Sequence, residues 1–181
     1  MTEGAAEDET GYALPIGTLE EARAMIGKRT ARRVAPAEVS WGRIQQFCAM
    51  THDGNPSYWD PEFAAAAWGG VVAPPAMVEA WLMPLEWSPS APTPQPRIMA
   101  RVPLPGTSMI NGGNDTTFHR PVRVGDRLSV DEELLSVSDL KRTRLGDGHF
   151  VETLSVFSND DGAVVAEVRN TLFRFTPREP E

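Results

Sequence analysis

Cysteine, histidine and long apolar runs are all scarce in this sequence. Its 181 residues include one cysteine, Cys48, and three histidines. A single cysteine cannot form a disulfide within the chain, and no group of cysteines and histidines has the spacing of metal ligands. The apolar runs are much shorter than the roughly 20 residues that cross a bilayer. The sequence therefore argues against a disulfide-stapled domain, a metal site and a transmembrane helix.

Basic residues are fewer than acidic residues. Seventeen basic and 25 acidic residues give a formal net charge of −8, and no block of lysine and arginine stands out. An acidic chain of this kind has no electrostatic reason to bind nucleic acid or an anionic membrane. The first ten residues are acidic and lack the basic and apolar blocks of a signal peptide. We predict a soluble cytoplasmic protein.

One domain accounts for nearly all of the chain. We expect a disordered acidic tail over residues 1–14, a single domain over 15–177 and a short tail over 178–181. The first half of the domain has helical patterns. Their start signals are a capping box from Thr18 to Glu21, a possible cap at Ser40, and the pair Asp60-Pro61. The last of these helices should end at Gly69.

A buried helix should follow, and then a set of strands. Residues 75–86 are apolar almost all round, which predicts a helix enclosed on most sides. Residues 87–96 contain four prolines and should form an extended loop near a pocket. From about residue 100 the apolar pattern alternates. Strands are predicted over 107–120, 127–138, 148–158 and 163–175, with a tight hairpin turn at 159–162. The fold class is α+β, an antiparallel sheet wrapped around a central helix.

Three segments resemble one enzyme family. Residues 47–64, with Asp53, Asn55-Pro56 and a helix start at Asp60, resemble the hydratase motif of MaoC-like (R)-specific enoyl-CoA hydratases and dehydratases. Residues 69–77 look like the entry to the central helix in the N-terminal dehydratase-domain branch of that family. Residues 118–128, 141–146 and 159–166 resemble its sheet. The family has the hot-dog fold, so the resemblance implies that fold over about residues 18–176.

The resemblance also implies a reaction and a set of contacts. Family members add water reversibly to a trans-2-enoyl-CoA, using an Asp and a His around one water and no cofactor beyond the CoA thioester itself. An imidazole and a carboxylate suit proton transfer near neutral pH. By analogy, the substrate-binding residues would be Asn55, Ala73, Ala76, Met77, Trp81 and His119. No metal is implied.

Two departures from the family pattern concern catalysis. Asp53 stands where the family has its Asp, but the His five residues later is Tyr58 here. A phenol with a pKa near 10 is a poor general base at pH 7. Where active members have His-Gly, this chain has Pro75-Ala76, and Pro75 offers no N–H to a thioester oxygen. We therefore expect the motif at Asp53 and Tyr58 to be degenerate and the chain to have no catalytic residue.

These departures predict a role within a complex. The chain would be the non-catalytic, pocket-shaping half of an enoyl-CoA hydratase that acts on long or bulky acyl groups, including steroid side chains. Its partner, in a heterodimer or heterotetramer, would be a second hot-dog subunit with an intact Asp/His motif. Two alternatives remain open: a homodimeric acyl-CoA-binding module without catalysis, and a hot-dog thioesterase. The thioesterase candidates, Asp53, Glu62 and Glu79, have no diagnostic spacing.

Several of these residues also have purely structural interpretations. Asp53, Asn55 and Pro56 can build an Asx turn. The residues Tyr58, Trp59, Met77, Trp81, Met83 and Cys48 can be core, and His119 can be structural. We expect His149 to face solvent. The basic residues Arg32, Arg33, Arg120 and Arg123 are expected at solvated strand ends, with contact to CoA phosphates as the alternative.

Overall fold

The computed structural model describes residues 6–7, 13–85, 89 and 96–178. Within these residues, four α-helices occupy the first half of the chain. They are α1 Leu19–Arg23, α2 Trp41–Thr51, α3 Pro56–Trp59 and α4 Pro61–Trp68. The short helix α3 is not among the helices predicted from the sequence.

The predicted start of α1 and both predicted ends of α4 are confirmed, whereas α1 ends at Arg23 and not at Gly27 as the glycine stop signal predicts. The Thr18 side chain accepts a hydrogen bond from Glu21 N–H, and the Glu21 carboxylate accepts from Thr18 N–H, which completes the capping box. The Asp60 carboxylate caps α4, which ends at Gly69 in a left-handed conformation. Ser40 occupies the N-cap position of α2, but its side chain makes no capping hydrogen bond. The first half therefore folds largely as its local signals specify.

The second half is dominated by long antiparallel strands. The described strands are β1 Ala6–Glu7, β2 Ala13–Leu14, β3 Arg33–Val34, β4 Ser108–Phe118, β5 Ser129–Val137, β6 Lys141–Arg142, β7 Gly146–Ser158 and β8 Val164–Pro177. Six of them form one sheet in the order β3-β5-β7-β8-β4, with β6 paired to β7. The four long strands and the antiparallel sheet are confirmed. The β7–β8 turn is confirmed as well, with Gly162 N–H donating to Asn159 O.

Four residues of the predicted N-terminal tail are described by the structure. β1 and β2 pair with each other, and the Leu14 side chain is fully buried. An apolar side chain that is removed from water stabilises the chain against the entropy of disorder. The tail over residues 1–14 stays a prediction. The other residues of 1–14 lie outside the described part of the chain.

The predicted central helix is not continuous. Residues 75–86 contain two short 3-10 turns, Pro75–Met77 and Ala80–Leu82, and the chain is extended at Met83. A proline disfavours helical backbone in the residue before it, so Pro84 accounts for the break at Met83. Met83 was expected in the core and is 65% exposed. We call residues 75–82 the central segment. The predicted proline-rich loop over 87–96 lies outside the described residues, apart from positions 89 and 96.

The sheet packs against two apolar clusters. One joins α2, α3 and the central segment to the sheet through Ile44, Trp81 and Val130. The other joins α1 and the residues after position 97 to the sheet through Leu134 and Val151. On β5, strand alternation places Glu132 between the positions of Val130 and Leu134 on the same face. A buried carboxylate therefore separates the two clusters.

His149 does not face solvent as expected. Its side chain is buried, and Nδ1 lies 2.9 Å from the Ser138 carbonyl oxygen. The residues after β5 fold back over the start of β7, where β6 pairs with Gly148. The strand pattern alone did not reveal this cover.

Candidate functional site

The motif loop between α2 and α3 is held together by its own side chains. Asp53 Oδ1 accepts a hydrogen bond from Asn55 N–H at 3.0 Å, and Asn55 Oδ1 accepts from Ser57 N–H at 3.0 Å. The indole of Trp59 donates to the Asp53 carbonyl oxygen at 2.7 Å. These are the contacts of successive Asx-type turns leading into a helix. The structural interpretation of Asp53 and Asn55 is therefore satisfied by the loop itself.

Tyr58 occupies the position of the family histidine and is buried. Its backbone carbonyl accepts a hydrogen bond from the Trp41 indole at 2.8 Å. Burial raises the pKa of the Tyr58 phenol above its ordinary value, and the negative charge of Asp53 raises it further. The phenol is therefore neutral at physiological pH and cannot act there as a general base.

We expect this raised pKa to be visible by absorbance. The chain has two tyrosines, so a Tyr12→Phe variant reports Tyr58 alone. The tyrosinate absorbance near 295 nm should rise with a midpoint above the ordinary pKa of about 10. The Tyr58→Phe variant is the matched control. A midpoint well below 10 in the folded Tyr12→Phe variant would contradict the assignment and make Tyr58 a candidate base.

Tyr58 lines a cavity with a volume of about 300 Å³, which we call the smaller cavity. Four of the six predicted substrate-binding residues line it too: Asn55, Ala73, Trp81 and His119. The remaining wall residues were not predicted: Ser57, Trp68, Val72, Pro74, Pro75, Val78, Phe118, Arg120, Pro121, Val122, Val165 and Ala166. The motif segments do converge on one cavity, as the family resemblance implies.

Three residues singled out from the sequence are not part of this wall. Asp53 faces its own turn, Met77 belongs to the apolar core, and Ala76 is exposed at the start of the central segment. The N–H groups of Met77 and Val78 are bonded to the carbonyl oxygens of Pro74 and Pro75. Those two N–H groups are thus already committed and do not form an oxyanion hole here.

Hydrogen bonds that the motifs do not indicate hold the wall of the smaller cavity together. The Trp68 indole donates to Ser57 Oγ at 3.0 Å, which ties the end of α4 to the start of α3. Arg123 donates to the Trp68 carbonyl oxygen at 2.8 Å and so connects the helices to the sheet side. His119 Nε2 lies 3.3 Å from Glu167 Oε2. Arg123 lies outside the named strands, and its positive charge is favoured at the C-terminal end of α4.

A larger cavity of about 490 Å³ lies on the other side of the central segment. Its wall is mostly apolar, with Arg33, Glu79 and Arg97 as the charged members. The other wall residues are Ala80, Leu82, Met83, Pro84, Pro96, Met99, Ala100, Met109, Val130 and Phe157. Arg33 was expected at a solvated strand end, and that expectation is wrong. Its side chain lines the cavity and is only 26% exposed.

The charged residues of this cavity belong to a partly buried network, the Arg97 cluster, made of Arg33, Glu79, Arg97, Glu132 and Ser155. Glu132 and Ser155 are buried, and the other three side chains are 26% to 35% exposed. Arg97 Nε donates to Glu132 Oε1 at 2.8 Å, Nη1 to Glu79 Oε2 at 3.0 Å, and Nη2 to Ser155 Oγ at 3.3 Å. The Glu132 side chain is 1% exposed. Buried charges persist when they are paired in this way.

The thioesterase candidates are not placed as free bases. The carboxylate of Glu79 is paired with Arg97 and also accepts from Asn114 at 3.3 Å. Glu62 is exposed in the first turn of α4. Both oxygens of the Glu79 carboxylate thus already have hydrogen-bond partners in the folded chain.

The matches to known proteins agree with this geometry. The family model described as "FAS1-like, dehydratase domain region" matches residues 24–168. The chain belongs to this family. The dehydratase-domain branch indicated by the motifs is thereby confirmed, and with it the hot-dog fold.

Two curated relatives carry hydratase names. The chain is 38% identical over 145 residues to a probable enoyl-CoA hydratase alpha subunit from Thermomonospora curvata, covering 76% of this chain and 45% of that protein. It is 30% identical over 167 residues to the 3-oxo-4,17-pregnadiene-20-carboxyl-CoA hydratase alpha subunit from Mycobacterium tuberculosis, covering 90% and 53%. The chain thus spans about half the length of these two relatives.

A solved structure shares the fold over nearly its whole length. A chain of the ChsH1–ChsH2 complex from Mycobacterium tuberculosis superposes with a TM-score of 0.72 and 27% identity, covering 89% of this chain and 93% of that one. In the described residues, no helix is long and apolar enough to cross a membrane. The same residues bring no three His, Cys, Asp or Glu side chains together at a metal-binding distance.

Proposed function

We propose that this chain is the non-catalytic, pocket-shaping half of an enoyl-CoA hydratase that acts on bulky acyl groups. The observation that carries the proposal is the state of the motif loop. Asp53 bonds to its own turn, and a neutral, buried Tyr58 stands where the family has its histidine. The two relatives, one named as a probable enoyl-CoA hydratase alpha subunit and the other as a 3-oxo-4,17-pregnadiene-20-carboxyl-CoA hydratase alpha subunit, support the reaction class.

The chemistry explains why this loop is insufficient by itself. Hydration needs one group to take a proton from the attacking water and a path to deliver a proton to C2 of the enoyl thioester. Asp53 alone can take a proton, but the neutral phenol of Tyr58 cannot share the task at pH 7. The thioester oxygen of the substrate also needs N–H donors. The N–H groups of Met77 and Val78, at the start of the central segment, are already bonded to the carbonyl oxygens of Pro74 and Pro75. A second subunit with the complete motif would supply these functions.

The central segment supports the pocket-shaping role. Two short 3-10 turns replace the continuous helix that the apolar pattern predicts, and the larger cavity lies beside them. Its volume is within the range of roughly 300 to 1,000 Å³ that is usual for small-ligand sites. We propose that a bulky acyl group, such as a steroid side chain with its rings, extends into this cavity from the partner's active site. Methionines in the wall would adapt to its shape.

The edge strand β4 is the proposed contact with the partner. β4 is eleven residues long, pairs only with β8 among the described strands, and is exposed from Ile110 to Asp115. Long exposed edges are usually covered, because their unpaired backbone groups attract other strands. A second hot-dog subunit, pairing along β4, would form a continuous sheet.

Assembly tests the proposal. A hot-dog subunit with an intact Asp-x-x-x-x-His motif, mixed with the full chain, should give a complex by light scattering together with hydration of an enoyl-CoA. Ile110→Lys places a charge on the β4 edge and should weaken association by about tenfold or more. Leu140→Lys is the matched control and should change nothing, because Leu140 is an even more exposed apolar residue between β5 and β6.

Other results would redirect the assignment. A chain that stays monomeric with every candidate partner, or an Ile110→Lys variant that assembles normally, would remove β4 from the interface. Tight acyl-CoA binding by a homodimer, with no hydration in any pairing, would favour the binding module. The observation that favours the binding module is the pairing of Glu79 with Arg97. Among the described residues that line the larger cavity, Glu79 is the carboxylate, and it is not free.

A further inference from the structure

The two arginines of the larger cavity differ in how their donors are used. Arg97 donates to Glu132, Glu79 and Ser155, so each of its three nitrogens has an acceptor. Arg33 has one charged neighbour, with Nη2 at 3.8 Å from Glu132 Oε1, which is beyond hydrogen-bond distance. Among the described residues, the Arg33 guanidinium makes no hydrogen bond, and its Nε is shielded from water without a partner.

This unused donor capacity is located in a cavity wall. Arg33 lies on β3 next to β5, and its side chain is 26% exposed. Val130 and Phe157 line the same cavity and leave little polar surface beside the guanidinium. The Nε atom is closed off from a ligand as it is from water, but the two Nη groups are not among the buried atoms and have no acceptor among the described residues. A ligand oxygen in the cavity can accept a hydrogen bond from these Nη groups. Arg33 therefore offers the cavity a hydrogen-bond donor, whereas the other charged wall residues, Glu79 and Arg97, are paired with each other.

The charge balance indicates which kind of acceptor fits. The Arg97 cluster holds two arginines and two glutamates, Arg33 and Arg97 against Glu79 and Glu132, so its formal charges cancel. An anionic ligand group would face both carboxylates and would have to be desolvated. A neutral ketone or hydroxyl oxygen accepts a hydrogen bond from Arg33 without that cost.

We propose that the larger cavity binds a bulky apolar group that carries a neutral oxygen, a ketone or hydroxyl, and that Arg33 donates a hydrogen bond to this oxygen. The inference deepens the proposed function, on which it rests, by naming the chemistry of the acyl group's far end. Arg33 is a specificity-determining residue in this scheme, since it contacts the ligand at a distance from the reacting bond.

A matched pair of rigid probes tests the site. Androst-4-en-3-one has a ketone at one end of an apolar ring system, and androst-4-ene lacks only that oxygen. Competition in equilibrium dialysis against the full chain should give tighter binding of the ketone by about tenfold or more, the usual range for a hydrogen bond from a charged donor. Arg33→Met should abolish the preference while retaining hydrocarbon binding. Arg32→Met is the control, because Arg32 pairs with Asp131 at the surface.

A second readout does not depend on how the variant folds. In wild-type protein, the side-chain N–H signals of Arg33 in an NMR spectrum should shift with the ketone and stay in place with the hydrocarbon. Equal binding of both probes, a preference that persists in folded Arg33→Met, no binding of either probe, or a bound ketone without an Arg33 shift would each overturn the inference.

The binding assay also separates this site from the proposed reaction. A ketone preference that depends on Arg33, with no hydration in any pairing, would remove the proposed function and leave the site. Hydration by a reconstituted pair without any ketone preference would do the reverse.

Discussion

Asp53→Ala in the reconstituted pair should lower hydration turnover by less than about tenfold, whereas loss of the partner's motif Asp should lower it by about 10² to 10⁴. The reason is the position of the Asp53 carboxylate, which accepts a hydrogen bond from Asn55 N–H within its own loop. Its removal costs one local hydrogen bond, worth about 1 kcal/mol, and loosens the turn before α3. Steady-state rates on one enoyl-CoA substrate measure the difference.

Asp60→Ala is the matched control for this comparison. Asp60 belongs to the same motif segment, and its carboxylate caps α4 by accepting from Glu62 and Phe63 N–H. Both replacements should therefore give mild and similar losses, which track with thermal stability. A drop of a hundredfold or more for Asp53→Ala alone, at unchanged stability, would show that Asp53 takes part in the chemistry.

Glu132→Ala should destabilise the folded chain by about 3 kcal/mol, the largest effect we expect from a single replacement. Glu132 is fully buried, accepts from Arg97 at 2.8 Å and receives the Ile98 N–H at 3.4 Å. Without the Glu132 carboxylate, less negative charge balances the positive charges of Arg97 and Arg33. A void also opens between the two apolar clusters. The expected value is at the lower end for buried pairs because both arginines are partly exposed. Urea unfolding followed by circular dichroism measures it.

The neighbouring residue offers the control. Glu133 points to the other face of β5 and pairs with Arg29, whose side chain is 72% exposed. Glu133→Ala should cost less than about 1 kcal/mol, as exposed ion pairs do. Equal losses for the two variants would mean that Glu132 is not anchored by the Arg97 cluster, and the polar wall of the larger cavity would then need another explanation.

The long strands could be predicted because their signals are local. Alternation of apolar and polar residues defines β4, β5, β7 and β8, and the Asn159–Gly162 turn sets the β7–β8 register. The caps at Thr18 and Asp60 are equally local, since each involves residues within one helical turn. Interactions of this range are encoded in short windows, so they can be read without knowing the rest of the fold.

The central segment and the larger cavity could not be predicted for the opposite reason. Apolar residues at 75–82 fit a buried helix, but the prolines that flank the segment decide how far the helix can run. Arg33 and Glu132 belong to different strands and meet Arg97 only in the folded chain. His149 is buried by a segment that folds back from β5. Such contacts join residues far apart in sequence, for which alternation carries no signal.

The motif loop could be predicted only in part. Its resemblance to the hydratase motif identified Asp53 and Tyr58, and the missing histidine was evident from the sequence. The bond from Asn55 N–H to Asp53, and the burial of Tyr58, required the structure. Four of the six predicted binding residues line the smaller cavity, while Ala76 and Met77 do not, because the broken central segment turns them elsewhere.

The most direct measurement is steady-state hydration of an enoyl-CoA by three samples: this chain alone, the partner subunit alone and the reconstituted pair. We expect turnover from the pair and only traces from this chain, since the lost acid–base group is worth a factor of about 10² to 10⁴. Full turnover by this chain alone, abolished by Asp53→Ala, would contradict the non-catalytic assignment.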